Sequence, residues 1–335
     1  MRVLAGDIGG TKTAIAIIET GLRRSRVLRL ERYSSAAYAA LEDILADFLS
    51  SEKVRPAAAG FGVAGPVANG KSKITNLPWR LDERSLSRRF GIRHATLVND
   101  FGANALGLRF LAGRQLATLA RGREDAASPI VILGAGTGLG QAAVLRTGGH
   151  DVVVFAEAGH VDYGARSPLE DRLVAFLRGR FGRATRERIL SGSGLALLYE
   201  FLAEDGCARR AKAPTAALAG GEDPAAVISR FGLARRDPLC RAALDLFVSI
   251  YGSEAGNAAL AYRATGGVFL AGGIAPKILP ALKRPEFLRA FHDKAPMNAL
   301  LRDVPVRVVL DPSLGLYGAA AAGAYRTTIE TTRPS

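Results

Sequence analysis

A strand, a tight glycine turn and a second strand occur twice in this chain, about 125 residues apart, and that recurrence limits the fold more than any other feature. The first copy runs from Arg2 to Gly6, turns through Gly9-Gly10 and continues from Thr13 to Ile18. The second runs from Ile130 to Leu133, turns through Gly134 to Gly140 and continues from Gln141 to Leu145. In both copies an apolar run leads into the glycines, the pattern of a buried strand ending in a turn. Two similar α/β halves are expected, facing one another across a cleft, the kind of place ligand pockets favour. The 335 residues agree with two domains, because one hydrophobic core rarely serves so long a chain.

The segments between the turns read as alternating strands and helices. Arg26 to Tyr33 predicts a third strand, and Leu41, Ile44, Leu45 and Phe48 set a helical period within Ala36–Leu49. A small-residue strand is expected over Pro56–Val63, a short helix over Ser85–Phe90 stopped by Gly91, a strand over Ala95–Val98, and a helix over Phe101–Leu111. In the second half a strand is expected over Val152–Phe155. A helix then starts at Ser167-Pro168, with Glu170 completing a capping box. Further helices are expected at Gly194–Ala203, Pro224–Phe231 and Pro238–Ala264, strands at Gly267–Ala271 and Val304–Leu310, and a last helix at Gly315–Tyr325. The polar run Ala120–Ser128 is the softest connection.

Composition narrows the function classes. Hydrophobic residues make up 48% of the chain and charged residues 23%, as in soluble proteins, and no apolar run approaches the length of a membrane span. The N-terminus has no signal-peptide pattern and the C-terminus no lipidation signal, so a cytoplasmic protein without a membrane partner is expected. Two cysteines, Cys207 and Cys240, make neither a disulfide scaffold nor, with four histidines, a ready zinc site. The net charge of +14 raises a nucleic-acid reading. However, its arginines are dispersed, and the densest cluster, Arg84 to His94, lies in no nucleic-acid module. A solvated basic face is the expectation there, with no nucleic-acid partner.

The two glycine turns suit phosphate. Gly6-Asp7-Ile8-Gly9-Gly10-Thr11-Lys12 offers backbone N–H groups, a hydroxyl and a positive charge, and Asp7 at the strand end suits magnesium held through water. It is neither a Walker A loop, since no glycine precedes Lys12, nor a Rossmann fingerprint, since a strand follows it. An ordinary polar hairpin tip is the bland alternative. Gly134-Ala135-Gly136-Thr137-Gly138-Leu139-Gly140 repeats the offer, and two such turns favour phosphate binding. Gly266-Gly267 and Gly272-Gly273 bracket a strand where an adenine ring could lie on the backbone, though read alone the segment is better explained by tight packing.

The polar candidates are less telling singly. Asn99-Asp100 ends a strand, where ligands bind in open α/β sheets, but Asp100 read alone is a helix N-cap. Glu157 and His160 flank Gly159 in what could be a surface turn, and Glu187 between Arg186 and Arg188 could be a solvated charge.

Taken together and in order, these segments resemble the bacterial glucokinases of the actin-like sugar-kinase superfamily. Gly6 to Thr11 is similar to that family's first phosphate motif, Leu97-Val98-Asn99-Asp100-Phe101 to its catalytic-aspartate segment, and Leu133 to Gly140 to its second phosphate motif. Glu157-Ala158-Gly159-His160 and Glu187 to Gly192 resemble its two sugar-binding segments, and Leu270 to Lys277 its adenosine segment. The likeness runs from residue 2 to about residue 325. The related repressor–open-reading-frame–kinase family shares the first turn but carries a cysteine-rich zinc motif after its Gly-His. Val161-Asp162-Tyr163 stands there in this chain, so zinc is not expected.

The resemblance implies an α/β fold of two actin-like, ribonuclease H-like domains flanking a central cleft. It implies residues 1–111 as a small domain completed by the C-terminal helix 312–335, and 112–311 as a large one. It also implies ATP-dependent phosphorylation of D-glucose at the 6-hydroxyl, with Mg2+ held through water by Asp7. Asp100 is then the general base, and Asn99, Asp100, Gly136, Gly138, Glu157, His160 and Glu187 meet the sugar. The nucleotide falls to Gly6, Asp7, Ile8, Gly9, Gly10, Thr11, Lys12, Gly136, Thr137, Gly272 and Gly273. The family is often dimeric, which makes a homodimer an expectation.

Three other functions are weighed. A repressor needs a helix-turn-helix before the core, whose first strand begins at Arg2. A non-catalytic sugar sensor would have lost the base or the turns, and all are present. A kinase for mannose or an N-acetylhexosamine stays open, since the motifs do not separate hexoses.

Overall fold

The computed structural model describes residues 1–21, 24–51, 56–74, 77–147, 150–207 and 211–325. The chain forms two compact units. The first holds Met1–Gln115, Ala142–Phe155 and the chain from Asp311 on; the second holds Leu116–Gln141 and Ala156–Leu310. The last ten residues of the expected segment 312–335 lie outside the described residues.

In the first unit β1 (Arg2–Ile8), β2 (Lys12–Thr20), β3 (Ser25–Ser34), β4 (Ala58–Val63) and a later strand, Ala95–Asn99, make one sheet. A small three-stranded antiparallel sheet of β5 (Val67–Ala68), β6 (Lys71–Lys73) and β7 (Arg80–Asp82) precedes that later strand, which is β8. The large sheet has the order β3-β2-β1-β4-β8, antiparallel through β1 and parallel from β1 to β8. Side chains alternate across a strand. Leu4 and Ile8 of β1 therefore join Leu41, Ile44, Leu45 and Phe48 of the helix Leu41–Ser50 in one core. Val3 and Ala5 face the other way and pack with Leu316, Ala319 and Ala320 of the helix Leu314–Tyr325. Asp7 follows the second set by period, toward that last helix.

The last helix comes close because its sequence is small. Gly60 of β4 lies against the carbonyl of Ala319, and Gly318 lies against the carbonyl of Ala103, with no room for a Cβ at either. The helix Asp100–Gly107, which carries Ala103, is thereby locked backbone to backbone onto the last helix.

The second unit contains β9 (Leu116–Ala120), β10 (Ile130–Ala135), the start of β11 (Leu139–Thr147), β13 (Gly267–Ala271) and β14 (Val306–Val309); the rest of β11 and most of β12 (His150–Ala156) belong to the first unit. Its strands lie in the order β10-β13-β14-β9, parallel except for the β14–β9 pair. All six residues of β10 are buried, matching the unbroken apolar run of a parallel strand covered on both faces. The helix Pro238–Ala261 is the spine of this core, and Asp237 caps it by accepting from Cys240 N at 2.6 Å. Such a cap contributes about 1 kcal/mol.

Several boundaries differ from the sequence reading. The first helix starts at Leu41, not Ala36, because Ser35–Ala37 forms a separate 3-10 turn whose buried Ser35 is held to the glycine loop. The helix after β8 covers Asp100–Gly107 and ends in a 3-10 turn, Leu108–Phe110. The proposed capping box at Ser167 is half formed. Ser167 Oγ accepts from Glu170 N at 3.3 Å, but the Glu170 carboxylate is taken by Tyr163 Oη at 2.6 Å and by Arg166 Nε at 3.0 Å. The helices Lys212–Ala219 and Pro285–His292, and the strand β9, carried no clear sequence signal. No helix among the described residues is long and apolar enough to cross a membrane.

Candidate active site

In the first unit, the parallel register lines up the C-terminal ends of three strands. Asp7 of β1 stands beside Gly62 of β4, and Gly62 beside Val98 of β8; Ile8, Val63 and Asn99 form the next row. Asp7 and the Asn99-Asp100 pair therefore emerge at one sheet edge, two strands apart. Open α/β sheets bind ligands beyond this edge. Closeness shows in the electrostatics. Burial, and then the negative charge of Asp100, push the Asp7 carboxyl up to about 6.

The helix cap is Asn99, not Asp100. Asn99 Oδ1 accepts from Phe101 N at 2.9 Å and Gly102 N at 3.2 Å, and its Nδ2 reaches Gly65 O at 3.4 Å. Asp100 is the first helical residue, and its Oδ1 accepts from Phe101 N at 2.8 Å. The sequence reading of Asp100 as the cap thus transfers to its neighbour: the cap position has non-helical backbone, φ −58 and ψ 146, and the helix starts one residue earlier than the apolar period suggests.

The first glycine turn is a hairpin closed by Gly9 N donating to Lys12 O at 3.0 Å. Ser35 fastens it from outside, donating through Oγ to Gly9 O at 2.8 Å and through N to Thr11 O at 3.0 Å. Thr11 and Lys12 stay exposed at its tip, while Gly6 and Ile8 are buried in β1. Ser35 was missed from sequence, as was Asn104, whose Oδ1 lies with Asp7 Oδ2 beside Gly315 at the start of the last helix. Nothing in the spacing of these residues announces the contacts, which join segments separated along the chain.

In the second unit, the other glycine turn gathers the remaining candidates. Gly136 N donates to Gly138 O at 2.8 Å, leaving Thr137 exposed at the tip. Gly272, in the left-handed region at φ +81, sits against the backbone of Ala135, and Ile274 N donates to Ala135 O at 3.2 Å. The Gly272-Gly273 pair thus abuts the turn directly; a side chain at 272 would meet backbone and a strained φ together.

Glu187 is no idle surface charge. Its Oε2 accepts from Leu139 N at 2.9 Å, and its own N donates to Gly159 O at 2.8 Å. These bonds join three stretches of chain: the turn, Glu157–His160 and Glu187. His160 Nδ1 lies 4.0 Å from Glu187 Oε1, and His160 Nε2 lies 4.0 Å from Glu157 Oε2. Such spans exceed a direct hydrogen bond of about 3 Å, and fit polar groups that share a hydroxyl between them. Among the described residues, no group of three or more His, Cys, Asp or Glu side chains is placed to hold a metal ion.

Comparison with known proteins now bears on these two clusters. The family model described as Glucokinase matches residues 4–325. The chain belongs to the glucokinase family. A glucokinase of Nostoc punctiforme is 39% identical over 338 residues, covering 96% of this chain and 98% of that protein. A glucokinase of Synechocystis is 39% identical over 349 residues, covering 97% and 98%. Among solved structures, a glucokinase from an Antarctic psychrotroph superposes with a TM-score of 0.84 at 30% identity, covering 96% of this chain and 98% of that one. The fold is accordingly the actin-like α/β fold of sugar kinases, and this glucokinase-family chain is a hexose kinase that uses ATP.

Proposed function

We propose that this chain moves the γ-phosphoryl of ATP to the 6-hydroxyl of D-glucose with Asp100 as general base. The observation that carries the assignment is the register of β1, β4 and β8, which puts Asp100 and Asp7 at one strand edge, with Asn99 serving as the helix cap. The new bond joins O6 to the γ-phosphorus, the bond from that phosphorus to the β–γ bridging oxygen breaks, and ADP leaves. The hydroxyl proton passes to the Asp100 carboxylate. Such transfers need positioning and charge stabilisation more than covalent help. The amides and side chains of Gly9, Gly10, Thr11 and Lys12, and the turn at Gly136-Thr137, hold the phosphates; the backbone at Gly272-Gly273 receives the nucleoside. Asn99, Glu157, His160 and Glu187 orient the sugar hydroxyls, with Gly136 and Gly138 shaping the floor.

Magnesium fits the first cluster. A closed-in carboxyl whose ionisation is opposed by a second carboxylate is one that a divalent cation would stabilise. Asp7 would hold it through water, and the ion would offset the negative charge of the phosphates. This reading needs no zinc. It also treats residues 1–111 with 312–335, and 112–311, as the two functional domains of a cytoplasmic enzyme.

Sugar-dependent ADP release tests the proposal. With glucose, turnover should be ATP-dependent, and kcat/KM for mannose, galactose and N-acetylglucosamine should be lower by at least about a hundredfold, because a misplaced hydroxyl leaves polar groups unpaired. Equal rates across the panel would exclude glucose as the preferred substrate. Gly138→Ala gives a local check. Its Cβ would strike the Glu187 carboxylate, the movable end of a side chain. Thermal stability is expected to hold while the glucose KM rises by roughly fivefold to twentyfold, since a small misplacement of a substrate ligand is costly. An unaltered KM would remove Glu187 from the pocket.

A further inference from the structure

We infer that Glu254 is a positioning residue for the sugar ligand Glu187, acting through Arg186; this rests on the placement of Glu187 proposed above. Glu254 lies in the middle of the long helix Pro238–Ala261, within the small-residue run Gly252-Ser253-Glu254-Ala255-Gly256. Its side chain is only 4% exposed and stands 3.0 Å from Arg186, Oε2 to Nε, with Arg186 itself 22% exposed. The other oxygen, Oε1, accepts from Asn257 Nδ2 at 3.1 Å. Lys294 lies near enough for Glu254 to act on its charge, and its Nζ donates to Ser253 Oγ at 2.7 Å.

A carboxylate in this place has a cost that the pair only partly offsets. Buried ion pairs seldom stabilise a fold more than apolar residues of the same size, although breaking one strands a charge. What the pair supplies is an electrostatic anchor: Arg186 Nε and Glu254 Oε2 stand 3.0 Å apart and neither has a hydrogen-bond partner, so the guanidinium is held there by charge. Arg186 and Glu187 are adjacent, and their side chains have different anchors: Arg186 meets the helix at Glu254, and Glu187 meets the glycine turn at Leu139 N. Their backbone is pinned as well, Arg186 N to Val161 O at 3.1 Å and Leu190 N to Arg186 O at 2.8 Å. The guanidinium thus ties the segment to the core helix, and Glu187 Oε1 is set facing His160. Without Glu254, Arg186 would turn to solvent and the Glu187 carboxylate would lose its fixed origin.

Glu254 touches no substrate in this scheme, so the effect must pass through Glu187. Glu254→Gln, Glu187→Gln and the double variant are compared by steady-state kinetics and thermal unfolding. Glu254→Gln is expected to raise the glucose KM about tenfold, with kcat within about threefold and the KM for ATP unchanged. The double variant should be no worse in glucose KM than Glu187→Gln alone, because both changes act on one carboxylate. If Glu187→Gln raises the glucose KM and Glu254→Gln does not, the inference is overturned while the sugar site stands. If Glu254→Gln changes only the melting temperature, or both KM values together, its role is stability and the inference likewise fails. If Glu187→Gln leaves the glucose KM unaltered, the sugar-site reading falls first and takes this one with it. Should Glu254→Gln not fold, Glu254→Asp, which withdraws the carboxylate by one methylene, carries the same readings.

Discussion

Asp100→Asn is expected to lower kcat by roughly 10²–10⁴-fold while glucose still binds within a few-fold of the parent affinity, because general-base catalysis is worth about that factor. The replacement is nearly isosteric. An asparagine Oδ1 can still accept from Phe101 N, as Asp100 Oδ1 does at 2.8 Å, and the helix keeps its true cap at Asn99. Fold and binding surface should therefore persist, and only proton acceptance is removed. The measurement pairs coupled ADP release, for turnover, with calorimetric titration of glucose. Turnover within tenfold of the parent would mean that the proton leaves by another route. A matching loss of glucose affinity would mean that Asp100 mainly binds the sugar.

Gly318→Ala is expected to be the most damaging single methyl group in the first unit. A Cβ at Gly318 overlaps the carbonyl of Ala103 and comes within 2.9 Å of Gly107 N, and neither is a side chain that can swing away. Relief requires moving the helix Asp100–Gly107 off the last helix. Overpacking of this kind costs about 3 kcal/mol or more, and for a unit of this size that lowers Tm by roughly 10 °C. The same displacement shifts Asp100, three residues before Ala103, so kcat should fall in the protein that remains folded. Gly179→Ala is the contrast. Gly179 is exposed in the helix Pro168–Phe181 with nothing within 4 Å of a Cβ. Removing that glycine should stabilise the helix by about 1 kcal/mol. Calorimetric or fluorescence melting of the two variants side by side checks both; a Gly318→Ala protein that melts like the parent would show that the two helices do not have to touch.

The candidate site was proposed from sequence because its candidate residues sit in short runs. Gly9-Gly10-Thr11 and Gly136-Thr137-Gly138 are local signals, since a turn's backbone donors come from consecutive residues. Asn99-Asp100 could be placed at a strand end for the same reason. Their mutual register could not, because it depends on β4 lying between β1 and β8, a pairing between segments far apart in the chain. The separation of roles within Asn99-Asp100 was also hidden. Either residue suits a cap, and only the φ and ψ of the folded chain choose between them.

Glu187 and Glu254 mark the limit more sharply. Between two arginines, Glu187 reads as a surface charge until Leu139 N is seen to bind it. Glu254 carried no sequence signal within its helix, and its partner Arg186 comes from another part of the chain. Ser35 and Asn104 are alike in this: each is a common polar residue made specific by a distant neighbour.

By itself the sequence determined the repeated strand–turn–strand units, the buried strands, the cap at Ser167 and the family, because each is written in neighbouring residues or in motif order. Only the tertiary structure decided which carboxylates meet, which residue caps the helix Asp100–Gly107 and how Glu187 is held. Those outcomes depend on contacts between residues tens to hundreds of positions apart, where burial and hydrogen-bond geometry, not local preference, select the partner.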